Sequence, residues 1–531
     1  MSQQPYDVVI VGSGVAGAMT AWKAARSGLK VLILEAGPRL ERHQLASRHR
    51  ASSRWDSMAP YPAQPHARQA DPIGDPAYLT STAQSYDTTY IRAAGGTTWH
   101  WGSASWRIPA KDFRLQQHYG VGRDWPISYH DLETYYAEAE REMGVSGRDI
   151  PHLDLPRSSA FPMPPPQFSV MDQVLAGPLK AIGMELFQEP VARNSQLYDN
   201  RPPCCGNNNC VPICPIGAQY CADMTLTKAL QAGAEIRYNA IVHQLQDQSD
   251  GQINGLFYLD PAGQRHQVQA RCYVLAANAI ESCKILLMSV SQHSPAGLAN
   301  SSGLVGCNLM DHPHIYATFD CSFPVYAGRG PIGITGITQF MDGDFRRQMG
   351  AKKFSILNGN QLEPVSEALI DQGLTGEALN QAIRHQAVRR FSSYVQHEQL
   401  PHPDNRITLH PTEKDVLGLP LPVVHWRVDD YARKSCEHSA ELYRQIAKAI
   451  GAEVQIDMHM GSDAHTLGTT IMGTDPTQSV VDAQCRAHDH PNLYLNGGTV
   501  FASGSSVNPT LTIAALALRL ADHLINRLNA A

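Results

Sequence analysis

The hydrophobic pattern is sharpest at the N-terminus. Residues 7–11 (Asp-Val-Val-Ile-Val) form a short apolar run that predicts a buried strand. Gly12-Ser13-Gly14-Val15-Ala16-Gly17 follows, then a helical stretch to about Ser27 and a second apolar run from Lys30 to Leu34, which together predict a β-α-β unit. Runs such as Glu235-Ile236-Arg237-Tyr238 and Arg271-Cys272-Tyr273-Val274-Leu275 read as strands rejoining a core sheet. Residues 40–90, rich in Pro, Ser and Ala, lack a clear period and read as a surface excursion or lid. The Pro-rich stretch 151–166 reads as a linker or extended crossing segment. Residues 316–454 are mixed and charged, with helical periodicity near 364–392 and 430–450, and are the candidate for a second, substrate-side domain. No internal repeat is evident.

Composition narrows the class. The chain has 531 residues, several times the domain size of roughly 100–150 residues, so two or three cooperating units are expected. Hydrophobic residues at 43% and charged residues at 17% are those of a folded globular protein. Lys plus Arg number 43 against 49 Asp plus Glu, a net charge of −6 without runs of like charge, which argues against a polyanionic partner such as nucleic acid. No apolar stretch reaches the roughly 18–20 residues of a membrane span, and Met1 to Asp7 lack a basic leader, so no export signal or anchor of its own is expected. Five of the eleven cysteines (Cys204, Cys205, Cys210, Cys214, Cys221) fall within 18 residues, a clustering that suggests metal more than a disulfide framework.

The glycine-rich turn gains meaning from its context, since it follows a strand, opens a helix and has Glu35 ending the second strand 18 residues after Gly17. Gly12 permits the tight turn, Gly14 lets backbone approach a pyrophosphate at the helix N-terminus, and Gly17 lets helix pack on strand. Glu35 can accept from a ribose 2′-OH, which favours FAD or NAD over NADP. In the C-terminal stretch Asn508-Pro509-Thr510-Leu511, Asn508 can cap a helix and Pro509 suits its first turn. Cys204-Cys205-Gly206-Asn207-Asn208-Asn209-Cys210-Val211-Pro212-Ile213-Cys214-Pro215 has the short spacings, turning glycine and trailing proline that suit an iron-sulfur cluster, and lacks the paired hooks of structural zinc. His459 and His465 lack a carboxylate-rich partner pattern, so that region reads as metal-free.

With Glu35-Ala36-Gly37-Pro38-Arg39, the chain resembles the glucose-methanol-choline (GMC) oxidoreductases, and further segments extend the match. Arg92 to Trp101 looks like the family's flavin-contacting segment, which implies flavin contacts at Gly95, Gly96, Thr97 and Thr98; Gly498, Asn508 and Pro509 join the implied cofactor set. Val274 to Ser282 resembles the second signature, with Asn278 where the family usually has glycine, and Asp311-His312-Pro313-His314 resembles its Asp-His-Pro segment. Gly461 to Gly473 resembles the motif whose histidine faces flavin N5, which makes His465 the implied catalytic base, with Asn508 holding the same substrate oxygen. A neutral imidazole, with an ordinary pKa near ~6.5, suits removal of an alcohol proton as hydride leaves carbon. Thr98-Trp99-His100-Trp101 resembles the segment in which pyranose oxidases join histidine to the flavin 8α-methyl, leaving a covalent or a non-covalent flavin at His100.

Gly120-Val121-Gly122-Arg123-Asp124-Trp125, Ala192-Arg193-Asn194-Ser195 and the cysteine segment narrow the resemblance to the flavoprotein subunits of bacterial membrane-associated sugar dehydrogenases of the gluconate, fructose and glucose type. That resemblance implies an α/β fold with a Rossmann-like FAD-binding domain and a discontinuous substrate-binding α+β domain. It divides the chain into FAD-binding parts at 1–110, 223–315 and 455–531, substrate-side parts at 111–200 and 316–454, and a cluster loop at 201–222. It implies a 3Fe-4S cluster on Cys204, Cys210 and Cys214, with Cys205 the alternative first ligand and Cys221 an outlier. It also implies a small subunit carrying the export signal, a membrane-bound multihaem cytochrome c, and a place on the periplasmic face of the bacterial inner membrane. The expected activity is oxidation of a hydroxyl of a sugar, sugar acid or polyol, with gluconate slightly favoured. The alternatives are an oxygen-using GMC oxidase and a non-catalytic flavin/iron-sulfur electron-transfer protein. Arg389 and Arg390 could bind a substrate carboxylate or be solvated surface charges.

Overall fold

The computed structural model describes all residues except 1–5, 53–59, 63, 68–76, 82–85, 87 and 531. The N-terminal leader reading and part of the 40–90 stretch fall outside the described residues.

The β-α-β unit forms as expected. Tyr6–Val11 and Val31–Leu34 pair in parallel around the helix Val15–Arg26. They belong to a five-stranded parallel sheet in the order Leu493–Leu495, Ala270–Leu275, Tyr6–Val11, Val31–Leu34, Glu235–Arg237. Val8, Val9, Ile10, Leu32 and Ile33 are fully buried, because helices or loops cover both faces of a parallel sheet. The strands at 235–237 and 270–275 rejoin this sheet, while Ile241–Asp247, Ile253–Leu259 and Arg265–Val268 make a separate antiparallel sheet between them.

A second sheet of six antiparallel strands runs in the order Ala452–Gly461, His314–Cys321, Arg390–His397, Lys352–Leu357, Thr335–Ile337, Phe187–Gln188. Its two faces differ in chemistry. One carries Ile315, Ala317, Phe319, Phe354, Ile356, Phe391 and Val395, and the helix Asp430–Ile450 packs Cys436, Ala440, Tyr443 and Ala447 onto it at helical spacing. Asp429 caps that helix by accepting from the Ala432 N–H at 2.7 Å. Alternate residues on the same strands, His314, Tyr316, Ser355, Tyr394 and Gln396, project from the opposite face. The expected helix near 364–392 becomes two, Leu362–Asp371 and Gly376–Gln386, and the chain turns to strand at Arg390. The described part of 40–90 is more than a surface excursion, for it holds the helix Arg42–Ala51 and buries Tyr61, Tyr78 and Tyr86. Among the described residues no helix is long and apolar enough to cross a membrane.

Candidate active site

A cavity of about 790 Å³ lies between the two large sheets. At one end stands the glycine turn. Gly12 has φ +94°, and a Cβ there would meet the Ala276 carbonyl oxygen at 2.6 Å; a Cβ at Gly17 would meet the Gly12 oxygen at 2.0 Å. Gly14, by contrast, faces open space. Two of the three glycines thus serve the turn, and the middle one leaves room for a ligand at the N-terminus of the Val15–Arg26 helix. Glu35 lines the same end; its Oε2 accepts from Ser13 N–H at 3.0 Å and Ser13 Oγ at 2.6 Å, and its Oε1 from Gly37 N–H at 2.9 Å. Carboxylate oxygens have further lone pairs, so these bonds orient Glu35 without exhausting it.

The lining continues through Gly96, Thr97, Thr98 and His100 to Gly498, Asn508 and Pro509. Gly95 and Gly17 do not reach the cavity; Gly95, at φ +89°, closes the turn before Trp99. His100 is buried, its Nε2 has no partner, and burial pulls its pKa down to about 4. Asn508 differs from the expected helix cap. The helix Thr510–Asn529 begins after Pro509 without a side-chain cap, and the Asn508 amide turns to the cavity, where Oδ1 is buried without a partner. Open space at Gly14 and Gly497, with unpartnered polar atoms at His100 and Asn508, fits an elongated dinucleotide cofactor, and the volume lies in the range of cofactor sites. Asn278 replaces a glycine because its backbone is left-handed, at φ +58°, which Asn tolerates; its Oδ1 also accepts from Ile280 and Glu281 N–H at 2.8 and 3.0 Å.

At the other end His465 sits in a network that assigns its tautomer. His312 Nε2 lies 3.2 and 3.0 Å from the carbonyl oxygens of Gly504 and Ser505, so that nitrogen carries hydrogen. Burial, then the neighbouring His465, pull the His312 pKa down to about 4, so His312 is neutral and its Nδ1 is an acceptor. His465 Nδ1 lies 2.9 Å from that acceptor and 3.1 Å from Asp463 Oδ2, and therefore bears the proton. His465 Nε2 is left with a lone pair, to which Asn508 Nδ2 donates at 3.3 Å. Gln396 donates to Asp463, and the Asp463 carboxyl is held well below the usual range by His465 and His314 despite burial. Asp311 Oδ1 accepts from the backbone N–H of His312, Asp463 and His465 at 2.7, 3.0 and 3.1 Å, while Tyr86 donates to its Oδ2 at 2.7 Å. The site can take a proton at Nε2 and stabilise the resulting cation through Asp463.

Sequence reasoning left His312 and Asp311 without a role and missed Asp463, Gln396 and Tyr86. It also missed Glu189, Tyr316, Ser355 and Tyr394, which line the cavity from the second sheet. The available signal was polar alternation, in His314-x-Tyr316, Lys353-x-Ser355 and Tyr394-x-Gln396, within otherwise apolar strands. Arg389 and Arg390 are not among the residues lining the cavity; Arg390 pairs with Asp320 at 2.8 Å and Arg389 donates to the His385 carbonyl.

The cysteine loop abuts the cavity. Val211 lines it, and Gln219 Nε2 donates to the carbonyls of Trp101 at 2.7 Å and Cys210 at 3.4 Å. Cys204 N–H donates to the Asn194 carbonyl at 2.8 Å, tying the loop to the Arg193-Asn194 segment. Cys205 is exposed, Cys204 half-buried, and Cys210, Cys214 and Cys221 buried. Burial pushes the Cys204 thiol up, and electrostatic interaction with Cys210 and Cys214 adds to that push. Among the described residues no three His, Cys, Asp or Glu side chains converge on a point that could hold a single metal ion.

Known proteins resemble the chain along its whole length. The family model of GMC oxidoreductases matches residues 166–314 and 401–517, and that of FAD dependent oxidoreductases matches residues 7–137. The fructose dehydrogenase large subunit of Gluconobacter japonicus is 42% identical over 98% of both chains. The 6'''-hydroxyparomomycin C oxidase of Streptomyces lividus is 29% identical over 98% of this chain and 92% of its own, and the gluconate 2-dehydrogenase flavoprotein of Pantoea cypripedii 24% over 96% and 92%. Pyridoxine 4-oxidase from Mesorbium loti shares the fold, with TM-score 0.65 at 16% identity over 98% of this chain and 99% of that one.

Proposed function

The chain belongs to the GMC oxidoreductase family, with an FAD-dependent fold, and from that premise we propose that it is a dehydrogenase oxidising a hydroxyl of a sugar, sugar acid or polyol. The observation that carries this reading is His465, whose Nε2 holds a lone pair in a cavity lined at its other end by the glycine turn and Glu35. Bound FAD supplies a two-electron acceptor for the hydride leaving the substrate carbon. Gly12, Gly14, Glu35, the segment Gly96–Thr98, His100, Gly498 and Pro509 would hold it. His465 Nε2 takes the hydroxyl proton, Asn508 positions the same oxygen, and Asp463 offsets the charge that His465 acquires. His100, with its unpartnered Nε2, is the residue that would tether the flavin covalently.

Cys204, Cys210 and Cys214 would hold an iron-sulfur cluster, which would supply a one-electron route from the flavin toward a cytochrome c partner. What supports that ligand set is that the Cys204 thiol interacts electrostatically with Cys210 and Cys214 within one short loop. The exposure of Cys205 favours Cys204 as the first ligand. The large-subunit relative supports assembly with at least one further subunit; in this reading those partners are a small subunit carrying the export signal and a membrane-bound multihaem cytochrome c on the periplasmic face. Relatives named as oxidases favour a second reading, in which oxygen reoxidises the flavin. The test is an anaerobic absorbance spectrum with gluconate, fructose, glucose and sorbitol added separately. Bleaching of the flavin band near ~450 nm over a broad iron-sulfur background is expected. A flavin without that background, with peroxide formed at the rate of turnover, would establish the oxidase instead.

A further inference from the structure

On the second sheet, away from His465, the cavity wall holds a buried polar group that the proton chemistry does not use. Glu189 is 3% exposed, Ser355 3% and Lys353 0%. Lys353 Nζ donates to Glu189 Oε2 at 3.0 Å and to Ser355 Oγ at 3.0 Å; Trp106 Nε1 donates to the same Oε2 at 3.1 Å; Ser355 Oγ donates to Glu189 Oε1 at 2.7 Å. Glu189 and Ser355 line the cavity, whereas Lys353 stands behind them.

The donor count decides what this group can bind. The Ser355 hydrogen is committed to Glu189 and its Oγ to Lys353 and the Tyr394 phenol, while Oε2 is taken by Lys353 and Trp106, so toward the cavity the pair offers a lone pair on Glu189 Oε1 and no free donor. Its ligand must therefore donate, as a hydroxyl does; a carboxylate placed against it would find no donor, and what separates a sugar acid from a neutral polyol is the charge it brings. Ser355 faces Tyr394 across the sheet, and Lys353 faces Gln396, which touches Asp463. Strand spacing and rise put Ser355 about 8 Å from Gln396, a separation over which a polyol chain spreads its hydroxyls. The Tyr394 phenol, pushed up by burial, then by Asp463 and Glu189, lies between the two carboxylates.

The charge balance points the same way. The acidic groups lining this half are Glu189 and Asp463, and among the described residues the cavity's arginine is Arg92, whose charge interactions are with Glu281, Asp415 and Glu35 toward the dinucleotide end. Lys353 offsets Glu189 from behind the wall, so this half keeps the negative charge of Asp463, which a substrate carboxylate would meet with neither Lys nor a second Arg among the described lining residues.

Resting on the dehydrogenase reading above, we propose that Glu189 and Ser355, backed by Lys353, form a hydroxyl-accepting subsite that selects neutral sugars or polyols over sugar acids. Anaerobic flavin reduction of the holoenzyme by fructose, glucose and sorbitol is compared with reduction by gluconate. The second-order rate constant for at least one neutral compound should exceed that for gluconate by more than tenfold. Glu189→Gln should narrow that ratio by about tenfold or more while the flavin spectrum is kept, because the amide brings donors to the wall. Ser355→Ala, which leaves the ion pair in place, should raise KM for the neutral substrate with less effect on kcat, and it decides the matter if Glu189→Gln does not fold. Reduction by gluconate as fast as by any neutral compound, or substrate ratios unchanged in the folded variants, would overturn the subsite and leave the dehydrogenase reading standing. Reduction by no compound of either kind would overturn both.

Discussion

His465 gains its chemistry from neighbours rather than from its own type. Two carbonyl oxygens fix the proton of His312, the neutral His312 fixes that of His465, and the Nε2 lone pair is left as an acceptor that Asn508 meets at the cavity wall. His465→Ala should keep FAD and lose on the order of 10²–10⁴ in the rate of flavin reduction by substrate, measured anaerobically by stopped flow. Turnover unchanged in that variant would remove His465 from the mechanism. His100 makes a separate claim, since it lines the cavity and its buried Nε2 has no partner. Acid-precipitated protein should retain its yellow colour, and complete release into the supernatant would exclude the covalent bond. At this scale the sequence singled out His465 and His100 through motif position, whereas Asp463 was read past although it lies two residues before His465. An aspartate in a loop has no distinguishing pattern until folding brings a histidine against it.

Elements turn such residues into a site, and the glycine turn shows how sharply. Gly17→Ala would place a methyl 2.0 Å from the Gly12 carbonyl oxygen, so both the apoprotein melting temperature and flavin binding should fall. Gly14→Ala meets nothing within the protein, so it should leave the apoprotein melting temperature within about 1 °C while weakening FAD retention on dialysis. Equal effects in the two variants would contradict the division of labour between these glycines. In the cysteine loop, Cys210→Ser should preserve flavin reduction by substrate while iron content falls and transfer to an external cytochrome slows. Loss of both steps would mean that the loop is structural. The β-α-β unit was legible because short-range pattern determines it. The polar face of the second sheet was not singled out, because alternation in His314-x-Tyr316 or Tyr394-x-Gln396 reads equally as a strand with one face in water.

Across the whole molecule, three buried imidazoles couple stability to pH. Burial pulls His100 and His312 down to about 4 and His397 to about 3. In the unfolded chain each titrates near ~6.5, so between that value and the folded one the unfolded state binds more protons and stability falls as pH falls. By pH 5 each group costs about 2 kcal/mol, and the melting temperature of the apoprotein should drop steeply between pH 7 and pH 5. A flat profile over that window would contradict neutral burial. His397 is the cleanest contributor, held between the Pro313 carbonyl at 2.8 Å and Ser439 Oγ at 2.9 Å and absent from the cavity lining. By itself the sequence determined the dinucleotide-binding unit, the family and the cysteine-rich loop, since each is written in contiguous residues whose spacing carries the physics. Tertiary structure alone decided the neighbours of His465, the committed donors around Glu189 and Ser355, and the turning of Asn508 from helix cap to cavity. Those depend on strands hundreds of residues apart being hydrogen-bonded into one sheet and laid over another, and on the low dielectric that burial then imposes on the groups caught between them.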